Sequence, residues 1–303
     1  MKLACMLLLV CPLCYGQATK KMSENKAEEY YEKALEILTN TTHNALSKDL
    51  ALKALDYSNK AVELNSTKSK YFRIRATSYF HLKNYDSALS NFNNAIRLDS
   101  TNSLAWMGKA IVLENTGKFE LAKENYLQSL EFSDEPMIIY FNLGMLYSKW
   151  DKNDSSIQFY DKVIEMSPDD RSSYTNRGEV KLRARMYKEA IEDFDVAISL
   201  DTTDKVSYNN RGLCKFYLKY YKTAILDFEK ALSINLGRSF DENYSTDRYS
   251  YNNMANSYFG LGNIDKACEY WKTAVQKGYQ YKKEWKEIYN IDDPKELIKK
   301  FCK

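Results

Sequence analysis

Two histidines, six cysteines and a scatter of carboxylates are the side chains of this 303-residue sequence that could ligate a metal, attack a substrate or carry a proton. His43 stands in a polar stretch, "TNTTHNALSKD", and His81 follows Phe80. Neither falls in a spacing such as HExxH, in which two imidazoles one helical turn apart share a face and a metal. There is no glycine-rich loop to cradle a phosphate. The 41 Asp and Glu are interleaved with 44 Lys and Arg, as on the solvated faces of any helical protein. These residues point to no cofactor, no metal site and no enzyme; a periplasmic hydrolase or transferase using scattered carboxylates is the alternative. A net charge of +3 without a basic stripe gives no footprint for nucleic acid.

The stronger signal is an echo. "SYTNRGEVKLRARMYKEAIEDF", Ser173 to Phe194, returns thirty-four residues later as "SYNNRGLCKFYLKYYKTAILDF", Ser207 to Phe228. Most of the retained residues alternate large aromatics with small residues: Tyr174/Tyr208, Gly178/Gly212, Tyr187/Tyr221, Ala190/Ala224 and Phe194/Phe228. That alternation lets two helices pack knob against gap. Asn176/Asn210, Arg177/Arg211, Lys181/Lys215 and Asp193/Asp227 are kept as well. Stepping by the same period places units at Ser69, Ser103, Met137, Arg171 and Lys205, and another at Arg248 after an insertion. With only 10 Gly and 4 Pro, the chain has little room for long irregular segments.

The unit beginning at Met137 contains "YFNLGMLY", with Tyr140, Leu143, Gly144 and Tyr147, and closes on Pro168. Others keep the first aromatic (Phe72, Trp106, Tyr174, Tyr208, Tyr251) and a second-helix Ala followed by an aromatic, as in Ala88/Phe92 and Ala267/Trp271. In this pattern the chain resembles the tetratricopeptide repeat family. Ser156 departs from it by replacing the usual Ala. The resemblance implies an all-α, right-handed superhelical solenoid of antiparallel helix pairs, whose first helices line a concave groove. Its units are expected at about 25–68, 69–102, 103–136, 137–170, 171–204, 205–238 and 248–281, within a single solenoid over 17–303. A capping helix is expected at about 293–302, with Asp293 as its cap and Pro294 at its first position.

The resemblance also implies a function: a scaffold that binds a protein or extended peptide in the groove. Family groove positions fall on Leu104, Met107, Ile111, Ile138, Phe141 and Met145, an apolar run on two adjacent first helices. Such a patch marks a partner site when exposed, unless its side chains bury one another or the N-terminal helix covers them. Asn209 and Asn252 continue the groove among Glu179, Leu182, Arg183, Leu213, Phe216, Tyr217 and Asn256, a mixed face suited to hydrogen bonding an extended backbone. A five-residue carboxylate clamp like that of some co-chaperone arrays is not implied. Only Asn210 fits it; Thr175, Glu179, Tyr249 and Asn253 hold the other places.

Residues 1–16, "MKLACMLLLVCPLCYG", read as a signal peptide cleaved before Gln17. A lipid anchor on Cys11 or Cys14 is the rival. No later stretch approaches the ~20 apolar residues of a membrane span, so the chain is expected to be exported, periplasmic or secreted, without an integral membrane segment. Units of this kind that end in an "ACEYW" helix and a Cys-bearing last helix resemble envelope proteins of the Bacteroidetes type. Cleavage leaves Cys214, Cys268 and Cys302. Cys214 lies where these repeats carry a small buried residue. A Cys268–Cys302 disulfide would staple the cap to the last unit, in keeping with an oxidising compartment.

Overall fold

The computed structural model of the chain describes residues 12–39, 46–234, 247–283, 286 and 292–303, with side chains from residue 20 onward. His43, residues 1–11 of the expected leader and residues 235–246, which hold most of the insertion between the last two expected units, lie outside them. Fifteen helices, and no strand, occur among the described residues. They are α1 (Pro12–Thr39), α2 (Lys48–Leu64), α3 (Ser69–His81), α4 (Tyr85–Leu98), α5 (Ser103–Asn115), α6 (Phe119–Glu131) and α7 (Pro136–Lys149). These are followed by α8 (Asn153–Met166), α9 (Arg171–Arg183), α10 (Tyr187–Leu200), α11 (Lys205–Tyr217), α12 (Tyr221–Ser233), α13 (Asp247–Gly260), α14 (Ile264–Gln276) and α15 (Pro294–Phe301). The first helix of each expected unit from Ser69 onward begins at, or one residue before, its expected start. Helix α1 is the departure, since it is helical from Pro12, through the expected cleavage point, where a first helix was expected only from about residue 25. Its stretch from Gln17 to Glu29 contains no Gly or Pro to stop it.

Local signals set these boundaries. Asn84, Asn102, Asp170 and Asn263 cap α4, α5, α9 and α14 by accepting hydrogen bonds from backbone N–H groups of the first turn. Between the two helices of a pair, one residue turns left-handed: Lys83, Gly117, Asp151, Arg185, Lys219 and Gly262, with φ between 55° and 78°. Five of these recur at the thirty-four-residue spacing, and the sixth follows the insertion. Gly takes this conformation freely, whereas a side chain there costs roughly 1 kcal/mol.

The chain divides into two compact units, Met1–Ile139 and Tyr140–Lys303. In the first, α1 packs on α2, α3 on α4 and α5 on α6, and successive pairs meet through α2 with α3 and α4 with α5. Tyr31, Tyr71, Ile74, Phe92 and Val112 are among the buried residues of its core. Ala76 and Ala110 on the first helices, and Phe92 and Tyr126 on the second helices, are all buried.

In the second unit the small residue is glycine in three successive pairs. A methyl group on Gly144 would lie 2.8 Å from the ring of Tyr160, on Gly178 2.8 Å from Phe194, and on Gly212 2.7 Å from Phe228. Ser156, in place of the usual Ala, is fully buried and donates to the Gly144 carbonyl at 2.7 Å, which offsets the desolvation of its hydroxyl. One helical turn away, two pairs use charge. Asp193 accepts from Arg177 at 2.6 Å and Lys181 at 2.8 Å, and Asp227 from Arg211 at 2.6 Å and Lys215 at 2.7 Å. Arg177 and Arg211 also reach back to Asp161 and Asp195 on the preceding second helix. Burial lowers the pKa of both guanidiniums, but their paired carboxylates outweigh it and the net shift is upward. In the pairs on either side, the Lys and Asp positions hold stacked rings instead: Tyr147 on Phe159 at 5.4 Å, and Tyr258 on Tyr270 at 5.5 Å.

At the C-terminus Asp293 caps α15 by accepting from Lys295 N–H at 2.9 Å. Leu297 and Ile298 then pack on Ala255, Ala267 and Trp271. Gly178 supplies the most direct test of the pairing. Gly178→Leu drives a branched side chain into a fully buried ring and is expected to lower stability by about 1–3 kcal/mol. Chemical denaturation measures it; an unchanged midpoint would show that Gly178 does not face Phe194.

Candidate functional site

The faces of the first helices carry the residues singled out in the sequence. In the first unit, α3 and α5 lie side by side. On α5, Leu104 is 49% exposed, while Met107 and Ile111 are half-buried. Ile138, at the start of α7, is also 49% exposed. On α3, Arg73 donates to the Tyr31 hydroxyl at 3.3 Å, and His81 is exposed at the helix end. No group of His, Cys, Asp or Glu suited to a metal ion occurs among the described residues.

In the second unit, Phe141 and Met145 on α7 are half-buried, and the Phe141 ring meets Tyr160 edge-on at 5.7 Å. The seam between α9 and α11 is polar. Asp204 accepts from Arg171 at 2.7 Å, from the Ser207 hydroxyl at 2.7 Å and from Thr175 at 3.3 Å. One turn further along α9, Glu179 accepts from the Asn210 amide at 3.0 Å. Asn210 was the one residue compatible with a carboxylate clamp, yet its amide is already engaged by a carboxylate of the chain. Arg183, on the same helix as Glu179, donates to the Ser148 carbonyl at 3.2 Å and to the Ser148 hydroxyl.

Several expected groove residues are covered. Asn252 is fully buried and donates to the Tyr279 hydroxyl at 3.3 Å, so it belongs to the packing of the segment after α14 and not to an open face. Leu182 and Leu213 are buried in a cluster with Phe194 and Cys214. Asn256 accepts from the Trp271 indole at 2.9 Å. Asn209 stays half-buried and accepts from Ser250 at 3.0 Å. Cys214 is fully buried and burial pushes its thiol upward, which disfavours the reactive thiolate. Cys268 and Cys302 have Cα atoms 5.5 Å apart and sulfurs at a bonding separation of 2.04 Å.

The importance of Glu179 was hard to see in the sequence, because any helix offers carboxylates. The available signal was its place one turn after Thr175, opposite Asn210 of the next unit.

Paired helices repeated at a constant period, with small residues seated under rings, define an all-α helix-pair repeat protein. The tetratricopeptide repeat matches residues 75–135, 139–170, 206–237 and 248–278, together about half of the chain. The chain belongs to the tetratricopeptide repeat family. No curated protein matches it. Among solved structures, a tetratricopeptide repeat protein from Parabacteroides merdae is 18% identical, with 88% of this chain and 98% of that chain covered and a TM-score of 0.60. PilW, a type IV pilus biogenesis factor, is 18% identical over 73% of this chain and 97% of its own, with a TM-score of 0.58. The Cut9–Hcn1 assembly of the APC/C gives 16% identity, coverage of 96% and 55%, and a TM-score of 0.58. At these identities the likeness is one of fold.

Burial raises the pKa of Glu179 and Asp204 adds to the effect, while the Asn210 amide and Arg183 act in the opposite direction; the net shift is upward. A raised folded-state pKa means that this group's stabilising contribution is fully present below the unfolded-state pKa and is lost as pH rises through the folded-state value. Glu179→Gln is expected to raise the denaturation midpoint at neutral pH, and the gap to wild type should close on acidification below the ordinary glutamate range. A gap independent of pH would show that the charge of Glu179 is not its cause.

Proposed function

We propose that this protein is a non-enzymatic interaction scaffold of the bacterial cell envelope, binding an extended protein segment along the faces of its first helices. The observation that carries the reading is the exposure of large apolar side chains on those faces, Leu104 and Ile138 above all, in a family built to present such faces. A soluble surface keeps contiguous apolar side chains in water only at a cost, and that cost is recovered when a partner covers them. Met107 and Ile111 extend the stripe along α5, and flexible Met adapts to varied side chains. In the second unit, taken by itself, Phe141, Met145 and Asn209 are the proposed contact residues, and Asn252 is left out because it is buried.

Export is supported by the composition of residues 1–16 and by the placement of Cys268 and Cys302 at bonding distance, an arrangement that persists where thiols are oxidised. No described helix is long and apolar enough to cross a membrane. PilW, similar in fold, is a type IV pilus biogenesis factor, and an envelope setting is in keeping with that neighbour.

Replacing Leu104 and Met107 together by Glu is expected to abolish partner capture from an envelope extract while leaving helicity and melting temperature nearly unchanged. Loss of the fold would instead assign both residues to the core. For the staple, closing a loop of 34 residues contributes roughly 3–4 kcal/mol in the chain-entropy model. Non-reducing peptide mapping of protein purified from the envelope is expected to show Cys268 linked to Cys302 and Cys214 free. A crosslink to Cys214, or two free thiols at the C-terminal pair, would contradict it.

A further inference from the structure

The second unit treats its acidic residues in two ways. Asp193 and Asp227, buried between first and second helices, are each neutralised by two cations, Arg177 with Lys181 and Arg211 with Lys215. Asp204, buried in the seam between α9 and α11, is paired with Arg171. Glu179 lies in that same seam, half-buried on the face of the first helices, and its hydrogen bond comes from a neutral amide, that of Asn210. The nearby cations of α9 are directed elsewhere: Arg171 to Asp204 and Asp201, and Arg183 to Ser148 on α7.

A carboxylate drawn partly out of water is normally compensated by a positive partner, because one neutral donor replaces little of the lost hydration. Here Asn210 is the direct hydrogen-bond partner and Arg183, hydrogen-bonded to Ser148, acts on the carboxylate only through space, so compensation within the fold is partial, while the residue lies half-buried on the face to which the binding role is assigned. The upward shift of its pKa, set first by burial, agrees with that deficit.

We propose that Glu179 is a specificity residue, which selects an extended peptide presenting a lysine or arginine side chain to the seam between α9 and α11. The inference rests on the interaction role proposed above and names the chemistry of the partner. The incoming ammonium or guanidinium replaces the water lost by the Glu179 carboxylate and completes a pair that the chain leaves unmade. Asn210 holds the carboxylate in place from the next first helix, and Arg183, hydrogen-bonded to Ser148, acts on it only through space. Charge complementarity of this kind contributes more to discrimination between partners than to total affinity.

The test uses three pools of acetylated and amidated dodecapeptides, randomised except for one fixed central residue: lysine, norleucine or glutamate. Norleucine keeps the aliphatic stem of lysine without its charge. The full chain is expected to bind the lysine pool about tenfold more tightly than the norleucine pool and the glutamate pool more weakly than either, a gap within the range of charge-pair coupling energies. Glu179→Gln should bring the lysine pool down to the norleucine level without changing norleucine binding, and Glu179→Asp should retain much of the preference. Equal binding of lysine and norleucine pools by the natural chain would overturn the proposal while leaving the scaffold reading intact, as would a preference that survives Glu179→Gln. Failure of every pool to bind would overturn the scaffold reading and this inference with it.

Discussion

A close approach between the two helices of each pair is the constraint on which the rest of this structure depends. On each first helix from α3 onward a small residue leaves a gap, and sixteen positions later an aromatic ring on the second helix can fill it: Ala76 and Phe92, Ala110 and Tyr126, Gly144 and Tyr160, Gly178 and Phe194, Gly212 and Phe228, Ala255 and Trp271. In the three glycine pairs no room remains even for a methyl group. All six rings are buried, and burying a ring of this size removes 150–250 Å² of surface from water, so these contacts dominate the stability of each pair. The left-handed turn residue follows from the same demand, because the chain must reverse within a few residues to bring the ring back over its gap.

Around this fixed contact the chain varies its secondary contacts. Where two pairs use Arg, Lys and Asp, the neighbouring pairs use stacked tyrosine and phenylalanine rings. Both solutions fill the same space, but a buried ion pair is not a strong source of net stability, since desolvation offsets much of its Coulomb energy. Its effect here is on register: Arg177 and Arg211 each hold carboxylates from two successive second helices, so a pair displaced along the array would strand a buried charge. The doubly satisfied acids lie between the helices of a pair, and the undersatisfied Glu179 lies on the open face. This division separates what maintains the fold from what is left to recognise a partner.

Much of the fold was legible because the packing code repeats. Helices α3, α5, α9 and α11 start at the residues expected from the thirty-four-residue period, and a left-handed residue recurs two positions past the end of each. The site was less legible, for reasons that lie outside a single repeat. Asn252 has the sequence place of a groove residue, but Tyr279 follows the last described pair, where no further unit sets the frame, and covers it. Leu182 and Leu213 read as groove positions, yet the neighbouring pair buries them with Cys214. Helix α1 extends beyond its expected start because helix propensity, and not the repeat, governs that stretch. Glu179 could be located by counting, but its want of a direct ion pair depends on where Arg171 and Arg183 point, and spacing carries no such information.

The central claim is that the first helices form the binding face and the second helices form the support. Hydrogen–deuterium exchange of the full chain, measured with and without a saturating lysine-centred peptide pool, tests it most directly. The account predicts added protection concentrated in the first helices of the pairs that contact peptide, including α9 and α11, with α6, α10 and α12 unchanged. Protection confined to the second helices would contradict it.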